Sequence, residues 1–192
     1  MKHFEAELPA GYREAFTIDA ANKKTGVSLN VAAAVIMVAV MIPFILIIRP
    51  GNILEGFSFS RYLITFGTTL LVYLVLHELV HGAAYKLLTR QKLTFGFTAT
   101  VAYCGVPNIY VYRRASMIAL LAPFCVFTVV FGLAVALLQD PWDKTFCAAI
   151  LAIHLGGCVG DLYDTWLYLS RFRDPATLMR DTGPKQTFYV KD

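Results

Sequence analysis

The sequence has 192 residues, of which 57% are hydrophobic and 16% are charged, and its mean hydropathy is +0.59. Soluble domains contain about 45–50% apolar and about 25% charged residues, so this composition excludes an ordinary water-soluble domain and indicates a lipid-embedded protein. The net charge of +4 is modest and the basic residues lie at segment ends, which argues against a nucleic-acid-binding surface.

Apolar segments follow one another along the chain after a polar N-terminal segment, residues 1–28. Each is long enough to cross the hydrocarbon core of a bilayer as a helix. The second continues through three ionisable residues, and the fourth is followed by a polar, basic tail at residues 171–192. The predicted transmembrane helices are residues 29–48, 62–88, 115–138 and 145–170, with a short loop at 50–60.

Residues 92–112, between the second and third predicted helices, differ in composition. They are rich in Thr, Val, Tyr and Phe, and Gly105–Asn108 lies in the middle. That pattern predicts two strands joined by a turn. This β-hairpin is either a cap over the helices or an edge strand on which an extended substrate pairs.

The distribution of Lys and Arg predicts the orientation. The N-terminal segment holds four, the segment between helices two and three holds five and the tail holds five, whereas the other two loops hold three of the 17. By the positive-inside rule, both termini and the hairpin face the cytosol. We therefore predict an all-α protein of the cell membrane. Residues 1–192 would form a single domain, a four-helix bundle with a short β-hairpin insert.

The second helix carries a motif with known chemistry. His77, Glu78 and His81 form HExxH, and side chains at i and i+4 lie on one helix face. Two imidazoles at that spacing can bind one Zn²⁺, and the glutamate between them can act as general base toward water. Packing of polar side chains inside a bundle is the alternative, but ionisable residues inside a membrane are costly and usually functional.

Zinc needs at least a third protein ligand, and the last helix offers Asp161, Asp164 and His154. The second and fourth helices run in the same direction, and depth favours Asp161, which lies as far into its helix as His77 does. Asp164 is the alternative ligand, about one turn further on. His154 could instead orient a substrate carbonyl or hydrogen-bond to a ligand. Close packing of the last helix on the second, through Gly156 and Gly160, would bring Asp161 to the histidines.

These motifs resemble a bacterial family of membrane proteins described as zincin peptidases. The resemblance rests on the HELVHG sequence in a membrane helix, the strand-rich insert, RRASMIALLAPF and GGCVGDL, and it runs from about Pro9 to Leu169. The family plan is similar to that of site-2 proteases. It implies that His77, His81 and Asp161 bind zinc and that Glu78 is catalytic. Site-2 proteases usually place the aspartate in an Asn-x-x-Pro…Leu-Asp-Gly context, whereas here it lies in Gly-Asp-Leu.

The expected function is a zinc-dependent endopeptidase that cleaves a membrane protein or peptide in or near the lipid bilayer. A non-catalytic zinc protein, such as a scaffold or a transport component, is the second interpretation. A transporter would need ionisable residues along a path through the bilayer, whereas here they lie near one level. A zinc hydrolase of another amide or ester is the third. The sequence does not indicate an oligomeric state.

Overall fold

The computed structural model describes residues 2–48, 59–98 and 102–192. Three helices in it are long and apolar enough to cross a membrane, and a fourth crossing is possible if the bent pair that follows them is one span. The predicted loop at 50–60 lies mostly outside the described residues. In chain order the helices are α1 (Lys23–Ile48), α2 (Phe59–Thr89), α3 (Arg113–Leu137), α4 (Pro141–Gly157) and α5 (Val159–Ser170).

Local capping explains why the helices begin earlier than the apolar segments predict. The side chain of Asn22 accepts from the backbone N–H of Lys24 before α1, and Asp140 accepts from Trp142 and Asp143 before α4. Such caps satisfy backbone donors that have no partner inside the helix. Hydropathy alone does not detect polar first turns, so the predicted starts at residues 29 and 145 were late.

The predicted fourth helix, residues 145–170, is in fact two helices. α4 and α5 meet at Cys158 with a bend of 45°. The bend follows Gly156 and Gly157, and glycine weakens a helix because it has the largest backbone entropy to lose. The bend matters for the site described below because it makes Asp161 part of the first turn of α5.

The protein also contains a five-stranded antiparallel sheet, so it is mostly helical, as predicted, but not all-α. Its strand order is β1-β5-β6-β7-β2. The predicted polar segments at 1–28 and 171–192 supply four of these strands, whose burial does not follow a regular alternation. The strands are β1 (Phe4–Glu5), β2 (Tyr12–Asp19), β5 (Tyr110–Tyr112), β6 (Leu178–Asp181) and β7 (Lys185–Lys191).

The sheet packs against one end of the helices. Ile18 of β2 and Phe188 of β7 lie in one buried cluster with Leu120 of α3 and Leu167 of α5. Burying a side chain of this size stabilises the fold by about 1.5–3 kcal/mol. The sheet therefore fixes the sheet-proximal ends of α3 and α5 relative to each other.

Two antiparallel strands lie between α2 and α3, but they are not joined at the predicted turn. Strands β3 (Thr94–Phe97) and β4 (Ala102–Gly105) pair with each other, so the residues that connect them precede Gly105. Gly105–Asn108 instead leads from β4 to β5. A Cβ on Gly105 would lie 2.6 Å from the backbone nitrogen of Gly183, so glycine here permits close contact with the β6–β7 turn.

The GxxxG spacing predicted that Gly156 and Gly160 pack the last helix on the second helix. The structure shows a different contact at these glycines. α4 packs against α1 and α3. A Cβ on Gly156 would lie 2.8 Å from the carbonyl oxygen of Ala33 in α1, whereas one on Gly160 would meet no atom within 4 Å. Close backbone approach at Gly156 thus serves the α1–α4 contact, and Gly160 borders open space.

Candidate metal centre

His77 and His81 lie one turn apart on the same face of α2. Both are buried, each with 7% of its surface exposed, and their ring centroids are 5.0 Å apart. The i, i+4 spacing produces this geometry in any regular helix. Two imidazoles are therefore presented side by side toward the interior.

Asp161 faces both imidazoles from α5. Its Oδ2 lies 3.7 Å from Nε2 of His77 and 3.4 Å from Nε2 of His81. The three residues offer one ligand atom each within 4.8 Å of one another, a group that could hold a metal ion. The first turn of a helix favours a carboxylate because the helix dipole is positive there. The bend at Cys158 thus places Asp161 where its charge is stabilised.

The other ring nitrogens of the two histidines are held by hydrogen bonds. Nδ1 of His81 lies 2.9 Å from the carbonyl oxygen of Ala119 in α3, and Nδ1 of His77 lies 3.0 Å from the hydroxyl of Tyr73. A histidine that donates from Nδ1 keeps a free lone pair on Nε2. Both Nε2 atoms face Asp161, so these outer contacts leave the nitrogens that a metal needs available.

His154 lies beside this group rather than within it. Its Nδ1 is 2.9 Å from the Tyr73 hydroxyl, and its Nε2 is 3.1 Å from Oγ1 of Thr128. By distance, His77, His154 and Cys158 form a second group that could hold a metal. However, the Tyr73 hydroxyl bonds to Nδ1 of both histidines, so hydrogen bonds already satisfy these nitrogens.

Tyr73 and Cys158 were not among the site residues predicted from the sequence. A tyrosine in an apolar helix is ordinarily a core residue. Its position four residues before His77, on the face that carries the motif, was the signal that could have identified it.

Glu78 lies next to the two histidines on α2 and is half-buried. β4 packs against α2, and Glu78 and Cys104 of β4 line the same cavity, so β4 lies close to the motif. Gly82, which follows His81, makes room for this contact. A Cβ there would lie 2.7 Å from the ring of Phe95 in β3. Glycine at the last position of HELVHG is therefore explained by its close packing against Phe95.

Asp164, the alternative third ligand, does not join either group of potential ligands in the described part of the chain. It lies almost one turn beyond Asp161 and is 4% exposed, and its Oδ1 has no hydrogen-bond partner. The structure therefore brings Asp161, and not Asp164, to the two histidines.

Residues 70–175 match the model of the family described as "Putative zincin peptidase". The chain belongs to this family. The matched range begins within α2 and ends just after α5, so it contains every residue of the candidate centre. Searches of the curated proteins and of the solved structures found no match.

The family description implies zinc, and the donor set of this zincin peptidase family member fits that metal. Two imidazole nitrogens and one carboxylate oxygen are a known catalytic zinc set that leaves one position open. The hydrogen bonds to both Nδ1 atoms are the kind of contact that orients zinc-binding histidines. His77, His81 and Asp161 are thus the residues that would hold the ion.

A cavity of about 270 Å³ adjoins the centre. The HExxH residues and Asp161 line it, together with residues of β4 and of the β6–β7 turn, including Asp181 and Gly183. Burial raises the pKa of the Cys104 thiol, which borders the cavity, to about 12, so this thiol stays neutral at physiological pH. The cavity therefore borders both the candidate centre and the sheet.

Proposed function

We propose that this protein is a zinc-dependent endopeptidase that acts in or next to the membrane. The observation that carries the proposal is the convergence of His77, His81 and Asp161, with Glu78 beside them and a cavity in front. A purely structural polar cluster would need neither the free Nε2 atoms nor the cavity. Nearly all the ionisable side chains inside the apolar helices would lie at one depth in the membrane. This supports a reaction site rather than a transport path, which needs such groups along the whole crossing.

Glu78 would handle the protons of the reaction. Zinc, when bound, supplies Lewis acidity that activates water and polarises a carbonyl. The Glu78 carboxylate would accept a proton from the attacking water and pass it to the amine that leaves. Glu78 lines the cavity beside the two histidines, where a water and a substrate would reach its carboxylate.

The proposed orientation has four crossings with both termini in the cytosol. β2, β5 and β7 belong to one sheet, and a sheet with open edges does not pass through a bilayer. The segments before α1, between α2 and α3, and after α5 would then lie on one side. This requires that α4 and α5 together make one crossing. The basic residues concentrated in these same segments support the cytosolic side.

The centre would lie inside the membrane, within reach of that surface. His81 is eight residues from the end of α2 at Thr89, or about 12 Å at about 1.5 Å per residue. A substrate would approach through the cavity beneath β4. Because β4 borders both the cavity and Glu78, an extended peptide is the substrate shape that this surface would accept. Membrane proteins or peptides with unwound segments near the cytosolic face are therefore the proposed substrates.

The test compares wild type with Glu78→Gln in lipid nanodiscs. Both proteins should bind about one zinc per chain, measured by elemental analysis, since the substitution removes no ligand. Wild type should cleave members of a peptide library, detected by mass spectrometry, and Glu78→Gln should lose that activity. Glu14→Gln, at an exposed position on β2, is the matched control and should cleave normally. Zinc in both proteins without cleavage by either would instead indicate a non-catalytic zinc protein.

A further inference from the structure

The hydrogen bond that orients His81 uses an acceptor from inside another helix. Nδ1 of His81 lies 2.9 Å from the carbonyl oxygen of Ala119, and this contact is buried. Ala119 is in the second turn of α3, Arg113–Leu137. In a regular helix each interior carbonyl accepts from the N–H four residues later. The Ala119 carbonyl would ordinarily be engaged in that way.

The residue four positions after Ala119 is Pro123. Proline has no N–H, and its ring presses against the carbonyl of residue i−4 and turns it away from the helix axis. Both residues are buried within α3. Pro123 therefore removes the helical donor that would compete for the very carbonyl that His81 contacts.

We propose that Pro123 is a positioning residue that reserves the Ala119 carbonyl for His81. With Nδ1 committed as the donor to Ala119, the lone pair of His81 is on Nε2, which lies 3.4 Å from Oδ2 of Asp161. The proline thus sets the tautomer and the ring orientation of a proposed ligand from a different helix. The inference rests on the proposed zinc site. It explains why a helix-disrupting residue lies inside α3, four residues after Ala119.

α1 supplies a matched comparison. Pro43 lies inside α1 and follows Ala39 by the same four residues, but α1 contributes none of the three proposed ligands. A proline needed only to bend or pack a membrane helix should behave alike in both helices. If the proline instead frees an acceptor for His81, substitution should change zinc affinity at position 123 and not at position 43.

The experiment measures zinc affinity of Pro123→Ala and Pro43→Ala by competition with a chromogenic chelator, with purified protein in nanodiscs. Pro123→Ala restores an N–H opposite Ala119 and should weaken zinc binding by about 10–100-fold. It should also change the visible spectrum of the Co²⁺-loaded protein. Pro43→Ala should retain wild-type affinity and spectrum. Equal affinities for wild type and Pro123→Ala would overturn the inference, whereas a wild type that binds no zinc would refute the zinc site itself.

A second measurement needs no variant at position 123. In zinc-loaded wild type labelled with ¹⁵N-histidine, two-bond ¹H–¹⁵N correlation spectra identify the protonated nitrogen of each imidazole, and His81→Gln assigns the signals. His81 should carry its proton on Nδ1. A proton on Nε2 would show that the Ala119 carbonyl does not orient the ring, and would overturn the inference even if Pro123→Ala fails to fold.

Discussion

The hydroxyl oxygen of Tyr73 on α2 lies 2.9 Å from Nδ1 of His154 on α4. The same oxygen is 3.0 Å from Nδ1 of His77, so one hydroxyl connects a proposed ligand to a histidine on another helix. If His77 donates to this oxygen, the tyrosine proton is free to go to His154. His154 then acts on the centre through Tyr73 rather than by contact with the metal.

Removing this hydroxyl should weaken the metal centre without removing a ligand. Tyr73→Phe leaves Nδ1 of His77 without a partner, and loss of such a contact typically reduces metal affinity by about 10–100-fold. Zinc affinity measured by chelator competition should fall accordingly. Tyr110→Phe, in the sheet and away from the centre, should have wild-type affinity. An unchanged affinity in Tyr73→Phe would show that the hydroxyl does not support His77.

The two aspartates of α5 should differ in their effect on zinc. Asp161→Ala removes the carboxylate that faces both Nε2 atoms, so we expect zinc content to fall well below one per chain. Asp164→Ala removes a buried carboxylate outside that group and should retain the metal. Elemental analysis of both variants after dialysis distinguishes them. Loss of zinc in Asp164→Ala with retention in Asp161→Ala would place the third ligand one turn further along α5.

The orientation of the chain can be tested independently of the metal. Single cysteines introduced at Lys2 and at Asp192 of a cysteine-free variant should resist a membrane-impermeant maleimide in intact cells and react after lysis. A cysteine at Lys144, before most of α4, should react in intact cells. Labelling of either terminus in intact cells would contradict the proposed four crossings.

The buried carboxyl of Asp181 predicts a specific dependence of stability on pH. Burial raises its pKa from 3.8 to about 6, despite hydrogen bonds from Tyr85 and from the N–H of Gly183. The folded state therefore holds this proton more tightly than the unfolded chain does. The resulting stabilisation is complete below about pH 4 and is lost as the pH rises through about 6.

Asp181→Asn should remove this dependence. The melting temperature of the variant minus that of wild type should rise between about pH 4 and about pH 7, because only wild type loses stability over that range. Asp143→Asn changes an exposed carboxyl and should give a constant difference. A constant difference for Asp181→Asn as well would show that the carboxyl is not held protonated by burial.

The sequence predicted the grouping of His77, His81 and Asp161 because that grouping follows from helical geometry. The two histidines share a face by their spacing alone, and Asp161 was expected to reach them because the predicted second and fourth helices would run in the same direction, with Asp161 at the depth of His77. The structure places their ligand atoms within 4.8 Å. Their role as zinc ligands stays a prediction that metal analysis will test.

The contacts that orient these residues could not be predicted in the same way. The acceptor for His81 is a backbone carbonyl, which has no residue-type signature, and Tyr73 resembles an ordinary core residue. The sheet was missed for a related reason. β2 and β7 pair from Tyr12↔Lys191 to Asp19↔Lys185, so their stability comes from contacts between distant parts of the chain. Local composition carries little information about such pairing.

The position of β2 in the sheet has a consequence for biosynthesis. β2 lies at one edge, where its neighbour is β7, and β7 leaves the ribosome after helices α1 to α5 have done so. During translation β2 therefore stays unpaired until β7 has been synthesised, which is after the helices. An unpaired strand edge invites aggregation and capture by chaperones. Completion of the sheet is therefore a late event. A truncated chain that lacks β7 would insert its helices yet expose β2 to the proteases of membrane quality control.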